Sequence, residues 1–457
     1  MSKATSIKKE NLKITLGPLV LDKKLTSGFK EWGTFKDSLR APIHRWFTYP
    51  AGFSYKAVIA SFEAHSIENG HVVYDPFMGS ATTNLVAKSL GINSYGVEAH
   101  PFVFKIAKTK MQWDLQEHEL ANSLEKINAR VKIRRKEQKE TIKDLRNIFP
   151  ELILKCYDSK VLADLFQIRE SIVAIKTSAT VKDILFVALV ALLREVSSAA
   201  TGWPYIAPKK AKTSSFGKDA LVEFSKIALS MGSDIDEVKK SASIHSGKSW
   251  HKIFNEDSRN TQKLIPKHSV DHVFTSPPYL NNFDYADRTR LEMYFFGEAK
   301  TWGDLSRKVR AKLITSATTQ ISRNDPQYAL SSELKKIAPT IYNRIELSVG
   351  ELEIVRKTKG GKKSYDHLVS GYFNDMFKII KEIFRVLKPG KTAVLVLGDS
   401  APYGVHVPTE EILGQIGCAV GFKHYTTQQL RTRGEKWKGN TQRHHISLKE
   451  SILTLYK

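Results

Sequence analysis

Cysteine is nearly absent: Cys156 and Cys418 are the two thiols in 457 residues. They are too few and too isolated for a disulfide framework or a zinc site, so no bound metal is expected. Apolar runs of membrane length are also missing. The longest, from Ile184 to Leu193, falls short of a bilayer span and ends at Arg194. The segment Met1 to Glu10 carries no apolar stretch of the secretory kind. A soluble, intracellular protein with no membrane partner is the expectation. Acidic residues are scarce beside basic ones, 47 against 71, giving a formal charge of +24. With an isoelectric point near 9.7, a polyanionic partner follows, nucleic acid before any other. No internal repeat and no low-complexity tract interrupts the chain.

What is present is globular. Hydrophobic residues make up 41% and aromatic residues 10%, and the length predicts two or three structural units. Two stretches stand out. In the first, the apolar strand Asp271-His-Val-Phe274 runs into Thr275-Ser-Pro-Pro-Tyr279. Two prolines cannot continue a ladder or enter a helix interior, so the chain must turn where an α/β sheet places its ligands. Fixed carbonyls, the Ser276 hydroxyl and the Tyr279 ring suit a planar group bearing an exocyclic NH2. A plain Pro-Pro turn is the bland alternative. The second stretch shifts the balance: a strand at Val72 to Tyr74 opens into Asp75-Pro-Phe-Met-Gly-Ser-Ala-Thr-Thr83, then a helix from Asn84 to Leu90.

Gly79 marks a close backbone approach to a ligand, with Asp75 at the strand end. The next strand, Ser94 to Val97, ends on Glu98, placed for ribose hydroxyls. Neither a Gly-x-Gly-x-x-Gly pattern nor a P-loop lysine is present, which disfavours a phosphate cradle. A ribose-bearing ligand without phosphates fits, namely S-adenosylmethionine. A third strand near His251 to Phe254 leads to Asp257 and Ser258, with Asp257 placed for an adenine amino group. The pattern predicts an α/β fold: a Rossmann-like sheet, an antiparallel hairpin at its edge and a helical insertion.

The units expected are an N-terminal arm (1–43), three catalytic parts (44–113, 248–283 and 366–457), and two insertions (114–247 and 284–365). In the first insertion, the segments Leu162 to Ile175 and Val181 to Val196 predict buried helices with a small core of their own. The run Arg130 to Lys136 reads as a solvated helix face. Trp203, Tyr205, Lys209 and Lys210 interleave aromatic and basic residues, as single strands and flipped bases favour. The second insertion lacks strong periodicity, and 311–325 is expected to be a mobile loop. Arg288 and Arg290 either line a DNA cleft or pair with Asp284, Asp287 or Glu292. Arg431, Arg433, Lys436, Trp437 and Lys438 form a basic loop for phosphate or a solvated hairpin tip. From Asp366 to Leu387 an amphipathic helix is expected. After Lys388-Pro-Gly390 come the strand Thr392 to Leu397, a helix from Thr409 to Ile416, and strands Phe422 to Leu430 and Ser451 to Tyr456.

Asp-Pro-Phe-Met-Gly-Ser-Ala-Thr-Thr resembles the cofactor loop of amino-methylating DNA methyltransferases, and Thr-Ser-Pro-Pro-Tyr resembles their catalytic motif. His44-Arg-Trp-Phe-Thr-Tyr-Pro-Ala-Gly-Phe53 is similar to the segment preceding that loop, and Val386 to Gly390 matches a later helix end. The resemblance spans 44–113, 248–290 and 366–457. Ala81 departs from it, standing where a second glycine is usual, as does Lys391. What the resemblance implies is methyl transfer from S-adenosylmethionine to a flipped base in double-stranded DNA. Ser276, Pro277, Pro278 and Tyr279 are then catalytic. Tyr49, Pro50, Phe53, Pro76, Phe77, Ser80, Thr82 and Thr83 join Asp75, Gly79, Glu98, Asp257 and Ser258 around the cofactor. A serine in the motif usually accompanies cytosine N4; adenine N6, guanine N2 of RNA and a non-catalytic DNA-binding subunit are the alternatives. A bacterial or phage cytoplasm and a restriction-modification or related defence setting, with cleavage by a separate endonuclease or defence subunit, complete the expectation. Neither cysteine has the context of a C5-methylating nucleophile, and both are read as buried structural thiols.

Overall fold

Short apolar runs bounded by turn residues become strands. In chain order they are β1 (Val72–Asp75), β2 (Asn93–Val97), β3 (Ala199–Ala200), β4 (Ala207–Ala211), β5 (His251–Phe254), β6 (Val270–Thr275), β7 (Leu387–Gly398), β8 (His424–Arg433) and β9 (Leu448–Tyr456). The computed structural model describes residues 32–48, 52–116, 118–201, 206–215, 217–242, 249–321, 328–358, 363–433 and 446–457. Seven strands form one sheet in the order β5-β2-β1-β6-β7-β9-β8, while β3 and β4 pair with each other. From β5 to β7 every neighbour is parallel. The antiparallel hairpin predicted at the edge is β8 with β9, and the last strand slides between β7 and β8 rather than lying outermost.

Helices cover the sheet. Ser54 caps Tyr55–Ala64 by accepting from the Lys56 N–H. Pro101 opens Pro101–Lys110 in the position where a missing N–H costs nothing. Leu368, Tyr372, Met376, Ile379, Ile383 and Val386 recur at helical spacing along Tyr365–Val386, and all are buried. Helix Thr409–Val420 runs four residues further than expected. Its Gly414 and Gly417 do not end it, since they make room for neighbours: an added Cβ would lie 2.4 Å from the Tyr425 ring and 2.7 Å from Leu455. Strand β7 starts at Leu387, directly on the helix end, so Lys388-Pro-Gly390 marks the switch rather than a gap.

Four further expectations are corrected. Helices Ser159–Ala174 and Ala179–Glu195 do not enclose a separate core; Leu165, Leu185 and Phe186 share one cluster with Leu85, Phe102 and Ile106 beside the sheet. The second insertion is largely helical and includes the long helix Pro339–Thr358. Its Ile341, Ile345 and Leu352 are buried, but exposed Leu347 and Ile354 blur the helical period that sequence reading depends on. Within the loop expected to be mobile, residues 311–321 are tied down: Gln320 accepts from Ser316 N and Ala317 N, and Asn281 N donates to Ser316 O. Residues 322–325 of that loop lie outside the described residues. Cys156 is buried, as read, but Cys418 is exposed on its helix.

The start of the described chain is docked. Asp234, buried on helix Ala220–Ala242, accepts from Ile43 N at 2.9 Å, Trp46 Nε1 at 2.9 Å and Arg45 Nε at 3.0 Å. Among the described residues no helix is long and apolar enough to cross a membrane.

Candidate active site

Parallel strands bring their carboxyl ends to one edge of the sheet, and the polar residues selected from the sequence meet there. Beyond β1, β2, β5 and β6 lies a cavity of about 770 Å³ of empty space, part of it open to solvent. Phe53, Pro76, Phe77, Gly79, Ser80, Thr82, Glu98, Asp257, Ser258, Ser276 and Pro278 line it.

The loop after β1 is braced from behind. Asp75 is fully buried and does not line the cavity. Its Oδ1 accepts from Thr275 Oγ1 at 2.6 Å and from Phe77 N at 3.0 Å, tying β1 to β6 and fixing the turn. Burial pushes its pKa up to about 6, against the pull of the Thr275 hydroxyl and the Phe77 N–H. Thr83 Oγ1 donates to Phe274 O, a second tie between helix Thr82–Ser89 and β6. Asp75 and Thr83 therefore shape the loop, while Glu98 meets the cavity.

Glu98 accepts from Gly79 N at 2.8 Å and His100 N at 2.7 Å, one bond to each oxygen. Burial is the larger influence and raises its pKa to about 7, with the two N–H donors acting the other way. Each oxygen retains acceptor capacity toward a ligand hydroxyl. Since the folded pKa is raised, the protein without ligand favours the protonated form. Glu98 then contributes stability fully below its ordinary value near 4.5, and that contribution is lost as pH rises toward about 7. A ligand donating hydroxyls to this carboxylate favours the ionised form. Cofactor affinity measured by calorimetry should therefore weaken below about pH 7 and approach a plateau above it. Glu98→Gln should flatten that profile; an unchanged slope would exclude the carboxylate.

Ala81 adopts the left-handed conformation, φ 71° and ψ 32°, immediately before helix Thr82–Ser89. For an L-residue this conformation costs on the order of 1 kcal/mol. Ala81→Gly should therefore leave stability unchanged or raise it by up to about 1 kcal/mol, once glycine's greater unfolded entropy is offset. A loss above about 1 kcal/mol in denaturant titration would mean the methyl group packs more than it strains.

The wall also includes residues the sequence did not mark. Met78, Val97, Ala99 and Tyr285 line it, and Lys312, Leu313 and Ile314 reach it from the second insertion. Asp257 is bound by Arg259 at 2.7 Å, Arg259 reaches Asp375 at 2.7 Å, and Asp375 accepts from Thr315 N at 2.9 Å. Three elements distant in sequence thus hold one side of the cavity. An aperiodic segment offers no signal for such a contact, although Tyr285 stands just beyond the Pro-Pro-Tyr stretch. Ser258 Oγ donates to Pro76 O and locks the turn after β5 to the loop after β1.

Tyr279 is 3% exposed and is not part of the cavity wall, with its hydroxyl donating to Glu450 Oε1 at 3.0 Å. The Arg433 guanidinium lies 5.1 Å from the ring centroid. Arg431 and Arg433 are in β8, not in the loop expected to hold them, and Arg431 Nε donates to Glu450 Oε2 at 2.5 Å. Arg290 pairs with Asp287 at 3.0 Å and stacks 5.2 Å from the Trp302 centroid, so the ion-pair alternative applies to it. Arg288 is half-buried, and its backbone carbonyl accepts from Arg194. Lys210 is exposed in β4, the strand that also carries Lys209. Lys212 caps the end of helix Ala179–Glu195, donating to Arg194 O at 2.7 Å. In the run from 130 to 136, Arg135 pairs with Asp164 and Asp219, while Arg130, Lys132 and Arg134 are exposed. Tyr49, Pro50, Trp203, Tyr205, Lys436, Trp437 and Lys438 lie outside the described residues.

Comparison with known proteins adds independent findings. A family model described as DNA methylase matches residues 40–109. The chain is 25% identical to the type II methyltransferase M.BsoBI of Geobacillus stearothermophilus, over 95% of this chain and 91% of that protein. It is 24% identical to the type II methyltransferase M.AvaI of Nostoc sp., over 88% and 86% of the two chains. A shorter match, 46% over 48 residues, joins 10% of this chain to 9% of the type II methyltransferase M.MjaII of Methanocaldococcus jannaschii.

Proposed function

Because the chain belongs to the amino-methylating DNA methyltransferases, we propose that it methylates the exocyclic N4 of a cytosine flipped out of double-stranded DNA. The donor is S-adenosylmethionine, and the setting is restriction-modification, with cleavage left to a separate endonuclease. The observation that carries this reading is the placement of Ser276 and Pro278 on the wall of the cavity that Glu98 also lines.

The donor set fits a nucleoside cofactor with a sulfonium side chain. Glu98 is a cavity carboxylate with free acceptor capacity; Phe53 and Phe77 would give apolar surface for an adenine, and the wall residue Asp257 would accept from its amino group. When bound, the cofactor supplies an electrophilic methyl group on sulfur. The chain's own residues do the rest. Ser276 and the Pro277 carbonyl accept from the target NH2, orient its lone pair and draw electron density onto the nitrogen. Tyr279 supports the base ring. Positioning and electrostatics of this kind provide most of the rate in direct transfer, and no protein nucleophile is required. The flipped base must come out of the stack, because its amino group is out of reach within the duplex. The first insertion, 114–247, is the leading candidate for reading the DNA and the second, 284–365, the next, with the exposed Lys210 among the phosphate contacts.

Nucleoside mass spectrometry on plasmid DNA incubated with protein and labelled cofactor tests the reading. N4-methylcytosine is the expected product. N6-methyladenine would overturn the base assignment and keep the rest, whereas unmodified DNA would sink the activity.

A further inference from the structure

A carboxylate is out of place at the start of β9. Beyond it the strand is Ser451-Ile-Leu-Thr-Leu-Tyr456, yet Glu450 is 2% exposed. Burying a carboxylate is costly unless it is paired and hydrogen-bonded, and an apolar residue would fill the position at less expense. Its two oxygens are divided between two tasks. Oε1 accepts the Tyr279 hydroxyl at 3.0 Å, and Oε2 accepts Arg431 Nε at 2.5 Å from the facing position in β8. The surroundings are cut back to admit this arrangement. A Cβ on Gly33 would lie 2.2 Å from Glu450 Oε2. Gly398 faces Glu450 across β7, and a Cβ there would lie 2.3 Å from Arg433 Nη1.

The Tyr279 oxygen lies on the axis of its ring. A hydrogen bond to it therefore fixes where the axis points, while rotation about that axis remains free. Arg433, 5.1 Å from the ring centroid, supplies a contact that the first bond cannot. Burial and the negative charge of Glu450 both hold the Tyr279 pKa well above its ordinary value, so the hydroxyl remains a donor.

We propose that Glu450 is a positioning residue for methyl transfer: by holding the Tyr279 hydroxyl it sets the direction of the ring that receives the target base, with Arg431 as its counter-charge. This rests on the reading of Tyr279 as the residue that supports the base. Glu450 is far from the motif in sequence and does not line the cavity.

A double-mutant cycle on the single-turnover methylation rate tests it, using Tyr279→Phe and Glu450→Met in the full chain. Arg431 is partly exposed and can hydrate once Glu450 is gone. Each single variant should slow transfer by about tenfold, the cost of losing a hydrogen bond to a charged group. The double variant should be no slower than either single one, because both remove the same bond. Glu450→Gln keeps an acceptor and should recover most of the rate. Additive losses of about a hundredfold in the double variant, or an unchanged rate in Glu450→Met, would overturn the inference. Should Glu450→Met fail to fold, the same cycle with Glu450→Gln decides, since a rate as low as that of Tyr279→Phe then refutes a role as acceptor. A wild-type protein that methylates no base would overturn the underlying reading along with the inference. An active wild type with additive losses overturns the inference alone.

Discussion

Tyr279→Ala is expected to lower methyl transfer by at least about a hundredfold while the cofactor dissociation constant changes by less than about threefold. Stacking on an aromatic ring is worth about 1–3 kcal/mol per base, and a base that leans wrongly also loses the orientation set by Ser276 and the Pro277 carbonyl. The ring does not line the cavity that Glu98 shares with Ser276 and Pro278, so the cofactor side should be spared. Removing a large buried side chain costs about 3–5 kcal/mol in stability; rates should therefore be measured well below the melting point of the variant, which circular dichroism gives. Calorimetry for the cofactor and labelled methyl incorporation into DNA separate the two effects. Undiminished transfer would remove Tyr279 from the site.

Arg194→Ala should act mainly on stability, and strongly. Glu292 is fully buried, and Arg194 binds it through Nε at 2.5 Å and Nη2 at 3.2 Å. The same guanidinium donates to Thr201 O at 2.8 Å and Arg288 O at 2.6 Å. One side chain thus fastens the first insertion to the segment that follows the Pro-Pro-Tyr turn. Removing it leaves a buried carboxylate without its partner, which typically costs about 3–5 kcal/mol. Denaturant titration should show that loss. A loss below about 1 kcal/mol would mean that water or another donor takes over. Glu292→Gln in the Arg194→Ala background should recover part of the loss, since it removes the stranded charge.

Much of the sheet was legible because apolar runs that end in turn residues have few other uses. Val72 to Tyr74, Ser94 to Val97, His251 to Phe254 and Asp271 to Phe274 all fall within strands at or near their predicted limits. The convergence of Glu98, Asp257, Ser276 and the loop at Gly79 on one cavity followed from that, since parallel strands share an edge. Asp75 was legible as important, yet its carboxylate points to Thr275 and the loop backbone, a distinction that spacing along the chain does not encode. The contributions of Lys312 to Ile314 and of Glu450 were not legible, because each depends on where an aperiodic segment or a hairpin folds back. Glu450 did leave a trace, as an acid at the head of an apolar strand. The shared core of the insertion was missed for a related reason: a helix pattern shows which face is apolar but not what covers it.

The bond between Thr275 Oγ1 and Asp75 Oδ1 joins residues 200 positions apart. Nearly the same span separates Ile43 from its anchor, Asp234. The first closure must be made before β1 and β6 can pair at the middle of the sheet, and the entropy of closing so long a loop is paid before the contacts it brings can repay it. Helix pairs that are close in sequence, such as Ser159–Ala174 with Ala179–Glu195, face a smaller closure cost. Such local pairs are expected to form before that strand pairing, an order that φ-value analysis would test. Until then the chain exposes unpaired strand edges, the state in which aggregation competes with folding.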